Sequence, residues 1–160
     1  AYLADMKYAD ADLGRRLSGV ADYPAVAWAA IQAMVDQAGP VAFDSYHGDA
    51  RLVRGVVVRH MVLPGHADDS IAVVRGVRER FGDGVRVSLM SQYTPVLAQA
   101  AAAGDAAAAR VLARHPELGR TVSPEEYERV LDAADAAGID EYFWQQPGAA
   151  STSFIPDFDL

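Results

Sequence analysis

Three extended stretches of this chain carry groups suited to binding an anion. In YLADMKY, Asp5 and Lys7 stand two residues apart, so an extended backbone turns both to one face with Leu3, opposite Tyr2, Ala4 and Met6. In GVVVRHMVL, Val56, Val58, His60 and Val62 alternate with Val57, Arg59, Met61 and Leu63. In VRVSLMSQY, Val85, Val87 and Leu89 oppose Arg86, Ser88, Met90 and Gln92. A guanidinium stranded in hydrocarbon is strongly unfavourable, so Arg59 needs either a carboxylate or an aqueous hollow. At the rim of such a hollow, Arg59 and Lys7 could hold the negative end of a ligand. The spacing is equally consistent with an Asp5–Lys7 ion pair, or with Arg59 neutralising Asp5.

Other polar residues have plainer readings. His60 falls on the apolar face of its strand and reads as a core histidine. His66, Asp68 and Asp69 offer metal-ligand types close together, but the two aspartates also suit the positive start of a helix. His47, in SYHGD, has no evident partner. No G-x-G-x-x-G, Walker loop or nucleophile elbow occurs. The chain contains no cysteine, which excludes a disulfide, a thiolate nucleophile or a cysteine-held cluster built from these residues.

The elements that must carry these groups alternate. Strands are expected at 2–8, 55–63 and 85–93, with a fourth in IDEYFW at 139–144. Helices are expected at 24–38, with Pro24 in the first turn and Gly39 beyond the end, and at 67–82, where Ile71, Val74, Val77 and Phe81 line one side. An alanine-rich stretch, 97–114, reads as helix interrupted by Gly104. SPEE opens another helix, with Ser123 and Glu126 as a capping box, and Gly138 closes it. This order implies parallel strands with helices outside, an α/β class. Strands with one apolar and one polar-spotted face fit a (β/α) barrel better than a sheet covered on both sides. Asp5, Lys7 and Arg59 lie towards strand C-termini, the ligand-binding end of such folds. The chain begins with Ala1, almost inside a strand, and is expected to be a piece of a longer protein.

The 160 residues suffice for one domain with a core, and 51% hydrophobic content excludes disorder. No apolar run approaches the ~20 residues that span a bilayer, and no signal peptide heads the sequence, so a cytoplasmic address is expected. A net charge of −8 argues against nucleic acid or anionic membrane as partner. Lys7 is the only lysine, beside thirteen arginines.

DMKYADADLGRRLSGVADY, GVVVRHMVLPGHADDS, VSLMSQYTP, HPELGRTVSPEEYERVLDAA and the closing FIPDFD, in this order between residues 2 and 159, resemble the C-terminal half of radical S-adenosylmethionine (SAM) proteins. The branch they resemble most consists of poorly characterised relatives of the pyruvate formate-lyase activating enzyme. The resemblance implies the second half of a partial (β/α)6 barrel, with 145–160 as an irregular tail. It also implies SAM and a 4Fe-4S cluster as cofactors. In that superfamily a CxxxCxxC loop holds the cluster, and electron transfer cleaves SAM to a 5′-deoxyadenosyl radical. The substrate is then a glycyl-radical partner protein or a small molecule.

Carried over residue by residue, DMK resembles the family's Asp-x-Lys strand end, making Asp5 and Lys7 contacts to SAM. VRHMVLPG resembles the strand whose arginine reaches the SAM carboxylate, which selects Arg59, with Met61 beside it. The later strand of the family ends in a histidine near the ribose and adenine; LMSQYTP has none, so Gln92 or Tyr93 stands there. The cluster ligands are missing, so these residues alone are expected neither to bind a cluster nor to cleave SAM. Two other readings stay open: a non-catalytic half-barrel interaction module, and a metal-dependent enzyme using His66 and Asp68.

Overall fold

The computed structural model describes residues 1–46 and 49–145. His47 and the FIPDFD tail lie outside them. Four parallel strands form one sheet: β1 (Tyr2–Asp5), β4 (Val56–Met61), β5 (Arg86–Met90) and β6 (Tyr142–Phe143), in that spatial order. Space follows sequence, each strand lying beside its predecessor in the sheet. Between β1 and β4 come helices α1 (Ala11–Ser18) and α2 (Tyr23–Ala38) and an antiparallel hairpin, β2 (Ala42–Tyr46) with β3 (Asp49–Arg54). Helix α3 (Ala67–Phe81) links β4 to β5. Helices α4 (Val96–Ala102) and α5 (Ala106–Arg114), a 3-10 turn (Pro116–Gly119) and α6 (Pro124–Ala136) link β5 to β6.

One face of the sheet carries the core. Ala4, Met6, Val56, Val58, Val62, Val87 and Leu89 pack against Ile31 of α2, Val73, Val74 and Val77 of α3, and Tyr127, Val130 and Ala134 of α6. Val56, Val57 and Val58 are β-branched and all buried, as expected for a strand flanked on both sides. The polar alternation of β4 therefore starts only at Arg59. The buried stripe of α3 is Ser70, Val73, Val74 and Val77, with Ile71 and Phe81 at its margins. On α6, Ser123 accepts from the Glu126 N–H and the Glu126 carboxylate accepts from the Ser123 N–H, the reciprocal cap its sequence announces.

The differences from expectation have local causes. Pairing of β1 ends at Asp5 because the Lys7 N–H turns to the Tyr23 hydroxyl, which itself donates to the Asp5 carbonyl. β5 ends at Met90 because the Ser91 N–H turns to the Gln145 side chain. α1 escaped the hydrophobic pattern because it is short and strongly charged; Asp10 caps it and Gly19 ends it in the left-handed region. The hairpin escaped it because Asp44, Ser45 and Asp49 interrupt the apolar run. Gly55 alone separates β3 from β4; its φ of 112°, and the Val41 backbone lying where a Cβ would go, exclude any other residue. Among the described residues no helix is long and apolar enough to cross a membrane.

His60 is indeed a core histidine. Its Nδ1 lies 2.7 Å from the Met6 carbonyl and its Nε2 2.8 Å from Ser70 Oγ. The carbonyl can only accept, so Nδ1 carries the proton and Nε2 accepts from Ser70. One ring thus joins β1, β4 and α3. Burial lowers its pKa to about 4, against a smaller raising effect of the Met6 carbonyl. The unfolded chain therefore takes up a proton that the fold refuses. Stability is complete above the ordinary value of 6.5 and is lost as pH falls towards 4, with a slope of up to about 1.4 kcal/mol per pH unit. Urea denaturation at stepped pH measures this slope. His60→Gln removes it, and a wild-type curve flat across this window contradicts the assignment.

Candidate functional site

The strand register brings the sequence-selected residues together. Asp5 lies opposite Arg59, Arg59 opposite Ser88, and Met61 opposite Met90, so the C-terminal ends of β1, β4 and β5 finish level. Above them opens a cavity of about 480 Å³. Asp5, Lys7, Arg59, Met61, Gln92 and Tyr93 all line it. Leu63 and Met90 continue its strand side. Tyr8 and Leu17 close it near α1, while Val96, Leu97 and Leu118 close it from the segment containing α4 and the 3-10 turn. The wall is mostly apolar, with charge gathered on β1 and β4.

Arg59 donates through Nε to Asp5 Oδ1 at 2.8 Å, and a terminal nitrogen reaches the same oxygen at 2.7 Å. The Asp5–Lys7 ion pair is not formed: Arg59 takes the carboxylate, and Lys7 has no side-chain partner among the described residues. Both members of the Arg59–Asp5 pair have 40% of their side-chain surface exposed, so it contributes no more than about 1 kcal/mol. Its chemical value lies in what is left over. Asp5 keeps a second carboxylate oxygen, and Arg59 keeps N–H groups with no protein partner among the described residues. The site thus offers fixed cationic donors beside one free anionic acceptor.

The β5 end is held differently. Tyr93 donates its hydroxyl to the Leu118 carbonyl at 2.9 Å, which leaves its ring to face the cavity. Burial, then the charge of Glu117, raises its pKa. Gln92 accepts from Gln145 at 3.0 Å. Sequence reasoning missed Tyr23, which fixes the backbone between Asp5 and Lys7, and Gln145, which fixes Gln92. Their partners lie 16 to 18 and 53 residues away, and neither residue falls in a pattern that marks it. Arg86, on the polar face of β5, stays outside the cavity: it pairs with Glu141 and lies 5.2 Å from the centre of the Phe43 ring.

His66 and Asp68 do not converge. Asp68 pairs with Arg129 at 2.6 Å, whereas His66 faces Glu117 at 3.3 Å. Asp69 reaches away from its own helix to accept from the N–H groups of Ala9 and Asp10, fastening the loop after β1. Among the described residues no group of three His, Asp or Glu side chains is arranged to hold a metal ion. Burial pushes the Glu117 carboxyl upwards, but its own N–H and the His66 and His115 imidazoles outweigh this and lower its pKa.

The PGH loop after β4 is fixed by Glu126. That carboxylate accepts from the Gly65 N–H at 2.7 Å, from Arg120 through two nitrogens at 2.7 Å each, and from Ser123. Gly65 has φ 80°, a left-handed conformation that favours glycine, and the Glu117 side chain comes within 3.1 Å of where a Cβ would lie. Arg120 first, then the Ser123 and Gly65 N–H groups, hold the Glu126 pKa down to about 2 against the effect of burial. This contribution is complete above the ordinary value of 4.5 and is lost as pH falls through 2. Glu126→Gln should lower stability at pH 7 by about 1 kcal/mol. Its acid denaturation curve should be shallower than the wild type's between pH 4.5 and 2, and parallel curves would refute the linkage.

No protein-family model matches the chain. No solved structure matches it either. It is 24% identical over 141 residues to the uncharacterized protein MJ0674 of Methanocaldococcus jannaschii. That match covers 87% of this chain and 32% of the relative, so the chain spans about a third of the length of the curated protein it matches.

Proposed function

We propose that these residues form the C-terminal half-barrel of a radical SAM enzyme and supply its contacts to SAM and substrate. The carrying observation is that Asp5, Lys7, Arg59, Met61, Gln92 and Tyr93, from three successive parallel strands, meet in one cavity. A sheet whose spatial order follows chain order, with α2, α3 and α6 on one face, supports the barrel reading. Leu3 and Phe143, exposed on the opposite face at 64% and 52%, fit a sheet that is covered in a larger assembly.

The residues fit SAM in size and chemistry. The volume lies within the ~300–1,000 Å³ usual for ligand pockets. The Arg59 guanidinium and Lys7 ammonium suit a carboxylate. The free Asp5 oxygen suits an ammonium or ribose hydroxyls, and Met61, Leu63 and Met90 give an apolar bed for the rest. Bound there, SAM would supply the reductive-cleavage chemistry of the superfamily, directed at a glycine of a partner protein or at a small molecule. The residues of this chain bind, orient and shield. The cluster does not fit them: without cysteine they provide no ligands for it, and on this reading a longer protein would have to supply them.

A non-catalytic half-barrel is the second reading, favoured by the missing cysteines together with the exposed apolar face. The coding sequence upstream discriminates: CxxxCxxC belongs roughly 70–120 residues before Ala1, on the size of a barrel's first strands. Its absence removes the enzyme reading. In the full-length protein, Arg59→Ala should weaken SAM binding about ten- to hundredfold, the loss of one charge-assisted contact. The cluster's visible absorbance should be unchanged. Unaltered SAM affinity, or loss of the cluster instead, defeats the assignment of Arg59.

A further inference from the structure

Gln92 and Gln145 form a relay whose polarity is set by one backbone group. The Ser91 N–H can only donate, and it points at Gln145 Oε1 at 3.0 Å. The other side of that amide is therefore its NH2, which donates to Gln92 Oε1 at 3.0 Å. Gln92 must in turn present its own NH2 at the far end, where Nε2 lies 3.6 Å from Met90 Sδ, a weak acceptor on the cavity wall. Gln145 is itself anchored: its N–H donates to the Tyr127 hydroxyl at 3.0 Å, and that hydroxyl donates to the Leu89 carbonyl at 2.8 Å. Neither amide can reverse alone without setting like against like.

We infer that Gln145 is a positioning residue that locks Gln92 with its NH2 towards the cavity, so that the β5 end selects a ligand atom that accepts and bears no proton. This rests on the SAM reading above and deepens it. On that reading Arg59 and Lys7 take the carboxylate, and the atom facing Gln92, beyond the end of β5, belongs to the nucleoside, as the resemblance implies: either a purine ring nitrogen or a ribose ether oxygen. Gln145 does not line the cavity, so it acts through Gln92 and through the Ser91 backbone that it holds.

The test separates polarity from shape. In Gln145→Glu the introduced carboxylate still accepts from Ser91, but its second oxygen now needs a donor, so Gln92 reverses and turns its carbonyl to the ligand. Gln145→Ala releases Gln92 and also leaves the Ser91 N–H without its acceptor, so it does not isolate polarity. In the full-length protein at about pH 8, Gln145→Glu should weaken binding of both SAM and 5′-deoxyadenosine roughly tenfold. On acidification the introduced carboxyl takes up a proton and donates again to Gln92, and the affinity relative to wild type recovers. Absence of this recovery overturns the relay. An effect on SAM but none on 5′-deoxyadenosine overturns the nucleoside assignment.

A ligand-free arm keeps the two readings apart. Gln92→Glu and Gln145→Glu each preserve a donor–acceptor pair and should melt near wild type under the same alkaline conditions. The double variant sets two carboxylates face to face, and it should melt well below either single variant and recover at lower pH. If this holds while the wild-type protein binds no SAM, the proposed function and the ligand part of the inference fail and the relay stands. Additive melting shifts overturn the relay itself.

Discussion

Asp5 sits directly across from Arg59 in a parallel pair, and most of the cavity's chemistry follows from that register. A shift by one residue would turn Arg59 into the helix-packed face and send His60 outwards. Two features hold the register. The apolar run Val56–Val58 is buried on both faces, and the His60 ring spans from the Met6 carbonyl to Ser70. The inward histidine and the outward arginine are adjacent in sequence because they face opposite sides of the same strand. The polar contact within the core therefore fixes the angle at which the charged contact meets solvent.

The sequence was most informative where periodicity and burial agree. Alternation in YLADMKY, GVVVRHMVL and VRVSLMSQY gave the correct faces, and the capping signals of Ser123 and Glu126 gave the start of α6. All six residues chosen for the site line one cavity. Pairwise choices were less legible. Nothing in the spacing told whether Asp5 takes Lys7 or Arg59, because that depends on which strand lies alongside. His66 and Asp68 looked like neighbours in sequence, yet they point to different helical segments, one to Glu117 and the other to Arg129. Tyr23 and Gln145 were invisible for a related reason: each acts on backbone groups that secondary structure leaves unpaired at strand ends, and those ends are known only once pairing is known.

The mouth of the cavity is built from turns rather than regular structure, and carboxylates fasten those turns. Asp69 binds the loop after β1, while Glu126 binds the loop after β4 and the segment before α6. Both come from helices packed on the far side of the sheet, so the rim is tied to the rigid layer beneath it. This arrangement lets strand ends carry chemistry without carrying the structural load of their own loops.

Thirteen arginines leave one primary amine among the side chains of this sequence, and it stands at the edge of the hollow. Reagents that acylate amines are indifferent to guanidinium groups, so among the side chains of this sequence they read a single address. Shielding of Lys7 from such a reagent reports directly on whether anything fills the space beside it, with no need to know beforehand what that occupant is.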